Sequence, residues 1–126
     1  MRKSLFVAAL AGLSILAAGA SWAGELDSTA WRIHEKGETE TEDLIFIDGR
    51  FTSSGCIPYG FISSDYSSSK DGGNVKWQAT QTNKDMEKMA WTGQTKGKEI
   101  NGTYVFTDKK GKSYTSIWTG KMLEAK

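Results

Sequence analysis

The chain is poor in the residues that supply covalent staples, metal ligands and proton relays: it has one cysteine, Cys56, one histidine, His34, and one proline, Pro58. One cysteine cannot close an internal disulfide, so a folded domain must rest on its own core. One histidine and one cysteine serve zinc poorly, because structural zinc sites draw on four such ligands. Strong net charge is also missing, with 16 Lys and Arg against 15 Asp and Glu. No basic stripe interleaved with aromatics occurs, so the phosphate contacts of nucleic-acid binding have no source. Nor does a second long apolar run follow the first, which argues against stable membrane insertion of the remainder.

That first run sits in a leader. Met1 to Ala23 combine Arg2 and Lys3, an apolar stretch from Leu5 to about Ala20, and Ser21-Trp22-Ala23 with small residues at the positions that direct cleavage. This is the build of a secretory signal helix. The stretch is about 16 residues, shorter than the roughly 20 needed to cross a bilayer. Cleavage is expected after Ala23, giving a periplasmic or secreted protein. The only cysteine lies far downstream, so no lipid anchor is implied. Residues 24–126 number 103 and hold 12 aromatic side chains, four of them Trp. At that length roughly two thirds of the unfolded surface can be buried, and one domain is the natural solution.

Beyond the leader, period-two alternation recurs and is broken at short intervals by Gly, Asp, Asn and Lys, the signature of antiparallel hairpins. Eight strands are read, approximately Thr29 to Lys36, Thr41 to Asp48, Arg50 to Cys56, Gly60 to Ser67, Asn74 to Thr82, Glu87 to Thr95, Lys98 to Thr107 and Lys112 to Met122. Asp48-Gly49 is the sharpest turn signal, because both residues tolerate the positive φ of a type I′ hairpin. Ser63 to Ser69 has Tyr66 as its one apolar residue and is the weakest strand, with a loop over a barrel mouth as the other reading. A short helical turn is conceivable around Asn83 to Met89. Short links imply sequential antiparallel pairing, and eight such strands close into an all-β up-and-down barrel without exposed edges. A two-sheet sandwich is the alternative.

Alternation sends Trp31, Ile33, Val75, Trp77, Ala79, Met89, Trp91, Ile100, Tyr104, Phe106, Tyr114, Ser116 and Trp118 inward. His34 is placed outward. Leu44 to Ile47 is apolar on both faces, which puts Ile45 and Ile47 under a loop or at a subunit contact. Trp77-Gln78-Ala79, Trp91-Thr92-Gly93 and Trp118-Thr119-Gly120 each set an indole two residues before a small one. Inside a narrow barrel a large ring needs such a neighbour.

With Trp31 early in the first strand, eight meander strands and Trp-x-Gly strands near the carboxyl end, the chain resembles the calycin group of barrels, lipocalin-like and avidin-like, and in particular small exported bacterial proteins of that type. The resemblance covers most of residues 29–122 and implies a calycin-like barrel. Two positions before Trp31, where the lipocalin pattern has glycine, this chain has Thr29.

If the interior has room, Trp31, Trp77, Trp91, Tyr104, Phe106, Tyr114 and Trp118 line a pocket for a small apolar or aromatic ligand; if it is solid, the domain is a structural module that meets an envelope protein. Cys56, in Ser53-Ser54-Gly55-Cys56-Ile57-Pro58, is a buried small hydrophobe, an intermolecular disulfide partner or a reactive thiol. A nucleophilic role would require His34 beside it. Glu38, Glu40, Glu42 and Asp43 bunch carboxylates without the spacing of a calcium loop and read as a solvated acidic turn. Residues 24–65 carry net charge −6 and residues 66–126 carry +5. No cofactor and no enzymatic reaction are expected.

Overall fold

The structure is a computed structural model that describes residues 24–124; the expected leader and its cleavage point lie outside the described residues. Eight strands follow one another: β1 (Thr29–Glu35), β2 (Glu42–Ile47), β3 (Arg50–Ser53), β4 (Ser64–Asp71), β5 (Asn74–Thr82), β6 (Lys88–Lys96), β7 (Glu99–Thr107) and β8 (Ser113–Met122). Each pairs antiparallel with the next, and β8 returns to β1 with Gly120 opposite Ile33. The sheet is therefore a closed up-and-down barrel and not a sandwich.

Two boundaries depart from the sequence expectation. β3 ends at Ser53, and the chain then leaves the sheet through a 3₁₀ turn at Ile57–Tyr59. β4 starts at Ser64 and takes in all of the serine-rich stretch except Ser63, so the loop reading of that stretch is overturned. Small hydroxyl residues suit it because Ser68 faces Trp77 across the β4–β5 pair, where a large side chain would compete with the indole. The Asp48-Gly49 turn has φ of 50° and 76°, as a type I′ hairpin requires. Asn83 to Met89 is not helical. There the Asn83 Oδ1 accepts from the amides of Asp85 and Glu87 and folds the link into a tight turn.

The core is built from rings that alternate with gaps. Trp77 lies opposite Gly93, Gly93 opposite Gly102, and Gly102 opposite Trp118, so two adjacent glycines separate two indoles along one circumferential row. A Cβ on Gly93 would come within 2.7 Å of the Trp77 ring, and one on Gly102 within 2.7 Å of the Trp118 ring and 2.1 Å of the Thr92 carbonyl oxygen. The small residue thus makes room chiefly for the ring on the neighbouring strand. Phe46, Phe51 and Trp91 complete the stack, with Phe46 edge-on to Trp77 at 4.9 Å and Trp91 at 5.9 Å from Trp118.

One end of the barrel is sealed. Leu26 is buried, and the Tyr66 hydroxyl accepts from the amides of Gly24 and Leu26 at 3.1 and 3.0 Å while donating to Asp27 at 2.8 Å. Asp27 in turn accepts from the Gly49 amide. Burial, with donation to Asp27 added, pushes the Tyr66 phenol up to about 12. The far end of the described chain closes at the same pole, where the Leu123 amide donates to the Ala30 carbonyl and Lys98 pairs with Glu124 at 2.9 Å.

Ile45 and Ile47 stand on the outer wall, 37% and 53% exposed, with Leu44 and Phe46 beside them pointing inward. No loop among the described residues covers the two isoleucines.

Candidate functional site

The opposite pole is open. The β1–β2 connection, the 3₁₀ turn and the inward ends of β6, β7 and β8 surround a cavity of about 510 Å³ that opens to solvent. That volume falls within the roughly 300–1,000 Å³ of small-molecule sites. Its apolar wall comes from Phe61, Met89, Tyr104, Phe106 and Tyr114. The polar wall comes mainly from Glu35 at the end of β1, Glu38 and Glu40 in the connection, and Glu42 at the start of β2.

Two of these carboxylates are held by neutral donors. Tyr104 donates its hydroxyl to Glu35, and burial together with that donation raises the phenol well above its ordinary value. Ser53 donates to Glu42. Burial raises Glu42 above the usual carboxylate value despite that bond, and the neighbouring charges of Glu35 and Asp43 push in the same direction. Gly55 lets the Glu42 side chain lie against the loop, for a Cβ there would sit 2.7 Å from Oε1. Phe61 and Phe106 meet edge to face at 6.4 Å, and Phe106 stacks on Tyr114 at 6.1 Å.

The seven aromatic residues named from sequence divide between two levels. Trp31, Trp77, Trp91 and Trp118 are buried in the packed interior, each no more than 2% exposed. Tyr104, Phe106 and Tyr114 line the cavity, and Tyr114 is nearly half exposed at the lip. Trp91 joins the two levels through ring contact with Tyr104 at 5.0 Å. Its Nε1 donates to Gln81, whose amide donates to the Ile62 carbonyl in the mouth loop. The Trp31 Nε1 donates to Thr29 Oγ1 at 2.9 Å, which gives the residue two before this Trp a structural task that a glycine could not perform.

Cys56 lines the same cavity but is only 7% exposed. Burial chiefly, with the charges of Glu42 and Glu35 adding to it, pushes its thiol up to about 11 against a hydrogen bond to Ser53. A thiol so held is protonated at neutral pH and a poor nucleophile. His34 also borders the cavity, so it belongs to the mouth although its strand position alternates outward. Glu35, Phe61 and Met89 were not named as site residues from sequence, and Glu42, read there with Glu38 and Glu40 as part of a solvated acidic turn, instead stands with them on the cavity wall. The signal for Glu35 and Glu42 was there, since alternation through Trp31 and Ile33 continues to Glu35, and alternation through Phe46 and Leu44 leads back to Glu42.

A closed eight-stranded meander sealed at one pole and open at the other is consistent with a calycin-like barrel. No family model, curated protein or solved structure matches the chain.

Proposed function

We propose that this is an exported, non-enzymatic binding protein of lipocalin-like or avidin-like type, whose barrel mouth holds a small molecule with an apolar or aromatic body. The observation that carries the reading is the cavity itself: about 510 Å³, walled by Phe61, Met89, Phe106 and Tyr114, standing on a core too well filled to collapse into it. Preformed concave sites with apolar walls and a few placed polar groups are the usual form of small-molecule receptors. The leader supports export. The protonated, buried thiol of Cys56 supports binding over covalent chemistry.

Trp91 supplies the test, because it touches the cavity wall through Tyr104. Titration with naphthyl and long-alkyl compounds is expected to quench or shift tryptophan emission saturably, and Phe106→Ala to weaken the response. Flat titrations with every compound small enough to enter would overturn the reading. They would favour the rival function, an envelope interaction module, for which the exposed Ile45 and Ile47 on the outer wall provide the contact face.

A further inference from the structure

We propose that the occupant of the mouth cavity is an organic cation, an ammonium or comparable group carried on an apolar or aromatic body. The proposal rests on the binding function above and names its ligand class.

Among the described residues four glutamates border the cavity, and no lysine or arginine does. The ion pairs among the described residues are Arg32 with Asp43, Arg50 with Asp65, Lys76 with Asp71 and Lys98 with Glu124. None of them neutralises Glu35, Glu38, Glu40 or Glu42. Glu35 and Glu42 face an apolar wall and, among the described residues, accept from the hydroxyls of Tyr104 and Ser53, which solvate a carboxylate without cancelling its charge. Charges drawn out of water are costly unless paired, so a ligand that brings the opposite charge gains what the chain itself withholds.

The arrangement also selects the kind of cation. Among the described residues no group of three His, Cys, Asp or Glu converges to hold a metal ion. The carboxylates lie along one side of the rim, on the β1–β2 connection and the strand ends that flank it, without converging on one point, and suit a diffuse charge more than a point ion. Beside them stand the rings of Tyr104, Phe106 and Tyr114, and aromatic faces attract cations. Tyr114 already takes one: Lys112 Nζ lies 5.5 Å from its ring centroid. Lys112 is not among the residues that line the cavity, so this contact shows that the ring accepts a cation and leaves the glutamates of the wall without one. An anion would meet unpaired carboxylates on one side and hydrocarbon on the other.

Calorimetric titration of the purified protein with three probes sharing one body separates the outcomes: 1-naphthylmethylammonium, the neutral 1-naphthylmethanol and the anionic 1-naphthoate. The ammonium is expected to bind about tenfold or more tightly than the alcohol, with the carboxylate weakest. Raising the salt concentration should weaken the ammonium and leave the alcohol unchanged. Glu35→Gln and Glu42→Gln are each expected to reduce ammonium affinity severalfold while alcohol affinity holds, which also reports that the variant is folded. Glu40→Gln, on the exposed connection, should act in the same direction and more weakly. Equal or tighter binding of the alcohol or the carboxylate, or ammonium binding indifferent to all three substitutions, overturns the cation proposal and leaves the binding function standing. Failure of every probe to bind overturns both.

Discussion

The two poles of the barrel are made from the same kinds of residue and behave in opposite ways. At the sealed pole and through the middle, aromatic rings meet glycine, alanine and serine on neighbouring strands, and the one buried phenol there, Tyr66, satisfies two amides and a carboxylate at once. At the open pole the rings of Phe106 and Tyr114 have no such filling opposite them, and the phenol of Tyr104 turns to a glutamate at the rim. The tight packing of the molecule is concentrated in one half and its open cavity in the other, so substitutions should sort by pole.

The largest effect is expected in the filled half. Trp118→Ala removes an indole packed against Trp77 and Trp91 over a glycine gap that no neighbour can refill, and should cost about 3–5 kcal/mol in chemical denaturation. A loss below about 1 kcal/mol would show that the interior is looser than described. Next is the seal: Tyr66→Phe keeps the ring but strands the amides of Gly24 and Leu26, and is expected to cost about 1–3 kcal/mol. Ligand affinity at the far mouth should survive it, and coupled loss of both would erase the division between the poles.

Much of this division was legible in the sequence, and the part that was not has a physical cause. Alternation identified the β5 to β8 hairpins and the inward indoles, because a half-buried strand must alternate apolar with polar residues. It failed in β4, where Ser68 is buried for its smallness and the contrast between faces disappears. It did not name Phe46 or Phe51, because Leu44 to Ile47 is apolar on both faces and β3 is only four residues long. Which rings fill the lumen and which line a cavity depends on their height along the barrel axis. Height follows from strand register around the closed sheet, and local spacing does not encode it.

The smallest effect belongs to the open pole and depends on pH. Glu42 has a folded value raised above its ordinary 4.5, so the folded state holds this proton more tightly than the unfolded one. Its destabilising contribution is absent below the ordinary value and grows as pH rises through the folded value. Glu42→Gln, which keeps an acceptor for Ser53, should therefore melt slightly higher than the parent at pH 7. The advantage should shrink to nothing as pH falls toward the ordinary carboxylate range. A variant that melts lower at pH 7 would mean the carboxylate supports the fold, and that the rim is not strained by its own charge.

Gly24 is tied to Tyr66, and Glu124 to Lys98, at the pole away from the mouth. A tether, fusion partner or immobilising tag joined before the first or after the second would leave the molecule on the side away from the cavity. Fixed to a surface through Gly24 or Glu124, the barrel would stand like a cup on its base, its opening turned to the surrounding solution.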